Sequence, residues 1–221
     1  MKSNALLYVG AAVVALLLGL GAARLLNNGG TQPAHIPGAN LYPQAIPMPP
    51  FTLVDEEGKS FTNESLKGKW SFLFFGYTYC PDVCPMTLTV FREVAKQLAA
   101  TPQGVDNTQF VFVSVDPNRD TPERLKEYVR YFNPDFKGVT GDEKTIGQLT
   151  SAIGIVYMKT PGKTDDDYLV DHSSAVLLVD PQGRRYAIFT AKPSQEAGSV
   201  GGHDPKVITN AFEIIRQSQG A

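Results

Sequence analysis

The chain has 221 residues, 43% hydrophobic and 19% charged, enough for one domain with a sizeable core plus an additional segment. Its formal net charge of −2 gives no electrostatic footing for nucleic acid. There are no internal repeats and no low-complexity tract.

The additional segment comes first. From Ser3 to Ala23 no charged residue occurs, and Ala, Leu, Val and Gly dominate. At 1.5 Å per residue that run is long enough to cross a hydrocarbon core of about 30 Å. Leu20-Gly21-Ala22-Ala23 could serve as a cleavage site. The apolar run is nevertheless longer than a signal peptide needs, so residues 1–26 read as an uncleaved anchor. The segment is neither Arg-rich nor amphipathic, unlike a transit peptide, which points to a bacterial membrane. Residues 27–50 carry Gly29-Gly30 and Pro33, Pro37, Pro43, Pro47, Pro49 and Pro50, and read as a semi-extended linker. His35 within it reads as a histidine without ligand role.

The remaining residues, 51–221, read as the folded domain. Phe51-Thr52-Leu53-Val54 alternates, Glu57-Gly58 turns, and Ser60-Phe61-Thr62 returns as a hairpin. Trp70 to Phe75 is nearly all apolar, the mark of a strand buried on both faces. A helical stripe follows from Met86 to Ala100, and Phe110 to Val115 is a second buried strand. Thr121-Pro122-Glu123 supplies a cap, a first-turn proline and an early acid for a helix reaching Phe132. A helix from Asp142 to Ala152, a strand from Ile155 to Lys159 and a hairpin around Asp180-Pro181-Gln182-Gly183 come next. Pro205 to Gln217 closes the chain as an amphipathic helix. This order predicts an α/β, thioredoxin-like fold: a central mixed sheet flanked by helices, preceded by the transmembrane anchor.

Both cysteines of the chain stand in Cys80-Pro81-Asp82-Val83-Cys84-Pro85. Residues four apart share a helix face with Cβ atoms roughly 5–6 Å apart. An unstrained disulfide prefers about 3.5–4.5 Å, whereas two thiolates on one metal suit the wider spacing. Metal binding and a redox-active Cys80–Cys84 disulfide both stay open. Pro85 cannot sit in a helix interior, so Cys84 falls in the first turn of the helix, with Cys80 in the loop before it. Free N–H groups there lower thiol pKa. A four-residue loop gains little from a purely structural disulfide.

His172, in Asp171-His172-Ser173, precedes a sheet strand and is expected beside the cysteine-bearing helix start. Two thiolates and an imidazole make a soft three-donor set suited to Cu(I), with zinc as a competitor. No proline occurs between Lys163 and Asp180, where thioredoxin-like oxidoreductases place one opposite their cysteines. Leu73 and Tyr77 likewise fail the peroxidase pattern. His203 reads as structural. Asp116, Arg119 and Asp120 leave the second buried strand at its carboxyl end, where sites gather in α/β sheets. They are candidates for docking a partner or tuning the thiolates. The plainer reading is a helix-capping loop with Arg119 and Asp120 paired on the surface. Asp165-Asp166-Asp167 reads as a solvated hairpin tip.

Phe75-Gly76-Tyr77-Thr78-Tyr79-Cys80-Pro81-Asp82-Val83-Cys84-Pro85 is similar to the Sco/SenC family of copper-binding cytochrome oxidase assembly proteins. So are Ser114-Val115-Asp116-Pro117-Asn118-Arg119-Asp120-Thr121-Pro122-Glu123, Val170-Asp171-His172-Ser173 and Asp180-Pro181-Gln182-Gly183. Tyr79 stands where Phe is common in the family, and Asn118 where acids are common. The resemblance implies that Cys80, Cys84 and His172 match copper ligands, for Cu(I), Cu(II) or both. It implies a membrane-anchored copper chaperone, not a turnover enzyme, serving the copper-bearing subunit of cytochrome c oxidase. A second periplasmic copper chaperone is a further expected partner. The soluble domain would face the periplasm from a single-pass anchor in the bacterial inner membrane. The alternatives are a thiol–disulfide reductase acting on the cysteines of that subunit's copper site, and a thiol redox sensor.

Overall fold

The computed structural model describes residues 36–162, 167–193 and 201–219, together with Tyr8, Val13 and Ala15. The chain divides into two compact units, Met1–Ala34 and His35–Ala221. In the first, Tyr8, Val13 and Ala15 are helical and exposed, and the rest of the expected anchor lies outside the described residues. Among the described residues no helix is long and apolar enough to cross a membrane.

The second unit is built on an eight-stranded mixed sheet in the order β1-β10-β9-β4-β5-β6-β2-β3. Its strands are β1 (Asn40–Pro47), β2 (Thr52–Asp55), β3 (Ser60–Thr62), β4 (Trp70–Gly76), β5 (Thr108–Ser114), β6 (Lys137–Thr140), β9 (Val176–Val179) and β10 (Arg184–Phe189). A separate two-stranded sheet joins β7 (Tyr157–Thr160) to β8 (Leu169–His172). The helices are α1 (Val83–Ala99), α2 (Pro122–Phe132), α3 (Glu143–Ile153) and α4 (Pro205–Gln219).

β4, β5 and β6 run parallel, and β9 lies antiparallel on the other side of β4. β4 is buried along its whole length, as its nearly all-apolar run requires. Alternation then sorts its side chains onto two cores. Phe72 and Phe74 face α1, α2 and α4, while Leu73 and Phe75 face α3 and the N-terminal hairpin. Phe72 is the hub of the first core, with ring centroids 5.1 Å from Phe110, 5.8 Å from Phe189 and 4.9 Å from Phe212. Burying a side chain of this size contributes about 1.5–3 kcal/mol.

The expected linker is corrected over its second half. Residues 40–47 form the edge strand β1, paired antiparallel with β10, and Ile36 and Met48 are buried. A register irregularity between Leu41 and Ile46 leaves room for Pro43, and an edge strand needs hydrogen bonds on one side only. β6 and β8 are also additions to the expected elements. β6 reads Lys-Gly-Val-Thr, too short to alternate visibly, and Gly138 is needed because a Cβ there would meet Leu125 Cβ at 2.9 Å. The expected strand at Ile155 is β7, shifted to Tyr157 and placed outside the main sheet.

Candidate metal centre

β4 delivers the cysteine loop. At its end Gly76 is required by close approach: a Cβ there would lie 2.5 Å from Cys84 Sγ and 3.0 Å from the Phe112 ring. α1 begins at Val83, three residues before its apolar stripe, so Cys84 and Pro85 both occupy the first turn. There proline costs no hydrogen bond, because the first turn's N–H groups lack intrahelical partners anyway. Asp82 holds the N-cap position without a side-chain capping bond, and the Cys84 N–H of the first turn is directed to the Cys80 sulfur. Cys84 is fully buried, and Cys80 is half-buried in the preceding loop.

His172 ends β8, directly opposite Tyr157 of β7. Its Nε2 lies 3.3 Å from Cys84 Sγ. Nδ1 is 3.1 Å from the Ser173 carbonyl oxygen. A carbonyl only accepts, so Nδ1 carries the proton and donates, and the Nε2 lone pair faces the sulfurs. The ring is seated edge-on against Phe74 and Tyr77, with centroids 5.7 and 5.9 Å away. One donor atom from each of Cys80, Cys84 and His172 lies within 4.8 Å of the others. Sulfur and nitrogen donors bind an ion at about 2.3 and 2.0–2.1 Å, so a small contraction lets this set close on one metal.

The two thiols are electrostatically unequal. Cys80 is pushed down to about 4, chiefly by the hydrogen bond from Cys84, with the N–H groups of Asp82 and Cys84 also acting against its burial. Cys84 is pushed strongly up, first by burial and then by the neighbouring Cys80 charge. The pair therefore shares one proton, with the thiolate on the more exposed sulfur.

The loop after β5 holds the other expected residues, but not as a surface pair. Asp116 and Asp120 are fully buried. Arg119 pairs with Asp116, not Asp120, because a tight turn directs the Arg119 and Asp120 N–H groups back to the Asp116 carbonyl. Asp120 accepts from Thr78 N at 2.9 Å, Thr78 Oγ1 at 2.6 Å and Ser114 Oγ at 2.6 Å. Burial raises its carboxyl pKa against those bonds. Thr78, Ser114, Tyr168 and Arg124 were not singled out by the sequence, although three of the four stand within the quoted motifs or beside them. His203, half-buried, has Nε2 2.7 Å from the Ser174 carbonyl oxygen and, among the described residues, belongs to no three-donor group. His35, Asp165 and Asp166 lie outside the described residues, and Asp167 is exposed.

A parallel β–α–β core with antiparallel strands on both sides, helices on both faces and paired cysteines at a helix start define a thioredoxin-like protein. A histidine donor beside the cysteines adds a three-donor group that could hold a metal ion. The SCO1/SenC family model matches residues 40–199, and the chain belongs to that family. It is 37% identical over 187 residues to an SCO2-like protein of Rickettsia felis, covering 83% of this chain and 89% of the relative. Crystal structures of Arabidopsis thaliana ScoI with copper bound and of yeast Sco1 with copper bound are similar as well. The first is 34% identical with a TM-score of 0.66, covering 76% of this chain and 98% of that one. The second is 30% identical with a TM-score of 0.63, covering 80% and 90%.

Proposed function

We propose that this chain binds copper through Cys80, Cys84 and His172 and hands it to the copper-bearing subunit of cytochrome c oxidase during assembly. Copper is cargo here, and the protein is a binding and transfer factor, not a turnover enzyme. Residues 1–26 would tether it to the bacterial inner membrane, with the folded domain in the periplasm. There a second copper chaperone can supply the metal. The observation that carries the reading is the convergence of two sulfurs and one imidazole nitrogen within 4.8 Å. That donor set is soft and suits Cu(I), and the imidazole also accommodates Cu(II).

The residues prepare the site for capture. Cys80 is already a thiolate, and the Ser173 carbonyl fixes His172 in the tautomer with Nε2 free. Cys84 has to give up its proton for both sulfurs to bind as thiolates, so uptake releases a proton and affinity falls as pH is lowered. Three protein donors leave room for an incoming ligand from the acceptor, the route for transfer by exchange.

The reduced, anaerobic protein titrated with Cu(I) is expected to take up one equivalent, and His172→Ala to lower the affinity at least tenfold, on the order seen for outer-shell partners alone. A His172→Ala protein that binds as tightly as the parent would end the copper reading.

The inequality of the thiols favours a second reading, reduction of a disulfide in the acceptor. The Cys80 thiolate would attack one sulfur of that disulfide, forming a mixed disulfide and expelling the other sulfur as thiolate. Cys84, deprotonated, would then attack Cys80 Sγ and release the second acceptor thiolate. The two electrons come from the cysteine pair, which ends as a disulfide. His172→Ala should leave that exchange largely intact, which separates the two readings.

A further inference from the structure

The three donors come from two pieces of backbone with separate supports. Cys80 and Cys84 sit between β4 and α1, while His172 sits on the two-stranded sheet of β7 and β8. One short stretch touches both: residues 114–124, which run from the end of β5 into α2.

On the cysteine side this stretch holds the two residues just before Cys80. Buried Asp120 takes both the backbone N–H and the hydroxyl of Thr78. Arg124 Nε donates to that same hydroxyl at 2.6 Å. The Tyr79 ring lies between two guanidinium groups, 4.1 Å from Arg124 Cζ and 4.8 Å from Arg119 Cζ. On the histidine side, Tyr168 stands four residues before His172, at the entry to β8. Its hydroxyl donates to Asp116 Oδ1 at 2.5 Å, and Arg119 Nε donates to Asp116 Oδ2. Arg119 also donates from Nη1 to the Tyr168 carbonyl at 3.0 Å and stacks on the Tyr168 ring, 3.6 Å from Cζ to centroid.

Arg119 is thus the one side chain in these contacts that reaches both Tyr79 and Tyr168, with Asp116 fixing its orientation. A buried ion pair of this kind is weak support for stability, because removing two charges from water offsets their attraction. Its value lies in geometry: a guanidinium offers planar, directional donors and stacking faces that an ammonium lacks. Among the contacts described nothing in the cluster touches the three donor atoms, but Arg119 Cζ also lies 5.6 Å from the centroid of the Tyr77 ring that packs edge-on against His172, so an effect on the metal passes through that ring or through the position of the hairpin relative to the loop.

We infer that Arg119, oriented by Asp116 and joined to Tyr79 and Tyr168, is a positioning residue that brings His172 within reach of the two cysteines. The inference rests on the copper-site reading above for its consequence. Its structural half, that Arg119 sets His172 against Cys84, can be tested without metal.

The test compares the parent with Arg119→Ala, Arg119→Lys and Tyr168→Phe. In the reduced metal-free protein, nitrogen-15 NMR of the His172 ring reports its contact with Cys84 Sγ. The ring signals should shift and broaden in Arg119→Ala and Arg119→Lys, and change less in Tyr168→Phe, which keeps the stacking face. Ring signals identical to the parent in a folded Arg119→Ala or Arg119→Lys protein would overturn the inference. Cu(I) affinity supplies the second arm. Arg119→Ala should weaken binding by about 10–100-fold, as outer-shell substitutions do. In a His172→Ala background the same substitution should change affinity by no more than about twofold, the margin within which uncoupled effects add. Equal losses in both backgrounds would mean that Arg119 acts on the fold at large, and would overturn the inference. Should Arg119→Ala fail to fold, Tyr168→Phe carries both arms with the same expected directions. A parent protein that shows the His172–Cys84 contact but no copper uptake would remove the copper reading and leave the positioning role standing.

Discussion

The two halves of the metal centre are anchored very differently. The cysteines grow out of a strand buried along its whole length, where Phe72, Phe74 and Phe75 are completely covered. The histidine hangs on a two-stranded sheet whose outer face carries Met158 at 64% exposure and Leu169 at 54%. An isolated pair of strands is marginal by itself, so β7 and β8 depend on what they lean against. The lesson is a division of labour. The sulfur pair grows directly out of the core, and the third donor comes from a separate hairpin whose histidine ring leans on that core through Phe74 and Tyr77.

The contrast predicts that the largest effect lies farthest from the donors. Phe72→Ala empties the centre of the aromatic core and should cost about 3–5 kcal/mol, read as the loss in a denaturant melt. A cost under about 1 kcal/mol would mean that the cysteine half is not rooted in that core.

The next effect is chemical. A free thiol has a pKa of about 8.5, so at pH 6 only about one part in 300 is thiolate. With Cys80 pushed down to about 4, its thiolate persists as pH falls from 7 to 5 and is lost only on passing through about 4. Alkylation of metal-free protein should therefore label Cys80 before Cys84, at a rate nearly flat between pH 7 and 5. The unfolded chain should instead slow about tenfold per pH unit over that range. A folded protein that follows the unfolded profile would contradict the one-proton arrangement.

Gly76→Ala probes the same half from beneath. Its Cβ would intrude on Cys84 Sγ and the Phe112 ring, an overpacking worth about 1–3 kcal/mol, and Cu(I) affinity should fall with it. Unchanged stability and affinity together would show that the loop is not tightly held against β4. The smallest change belongs to the histidine half. Lys159 of β7 pairs with Glu143 of α3 at 2.8 Å, with both side chains substantially exposed. Glu143→Gln should cost at most about 1 kcal/mol, and less in high salt. A larger, salt-insensitive loss would make that pair a main support of the hairpin.

Sequence and structure agree best where burial enforces a pattern. β4 and β5 are built on largely apolar runs, and the α2 cap reads directly from Thr121-Pro122, with the Thr121 side chain accepting from Arg124 N. Pro85 placed Cys84 in the first helical turn, as found. The misses are short or proline-marked elements. β1 carries Pro43 and Pro47, which an edge strand tolerates and which a linear reading assigns to a linker. β8 is four residues long, so His172 looks like part of a loop until its pairing with Tyr157 is seen. Arg119 and Asp120 are adjacent in sequence and so invite pairing, but the turn after β5 sends Asp120 inward to Thr78 and Arg119 back to Asp116. Tyr168 lies 49 residues beyond Arg119, and no local pattern marks such a partner.

The central claim, that two sulfurs and the His172 nitrogen act as one copper site, is tested most directly by X-ray absorption on the reduced protein loaded with one equivalent of Cu(I). The account predicts a first shell of two sulfurs and one nitrogen, with the nitrogen lost in His172→Ala. A shell of sulfur alone in the parent, or a nitrogen that survives His172→Ala, would contradict it.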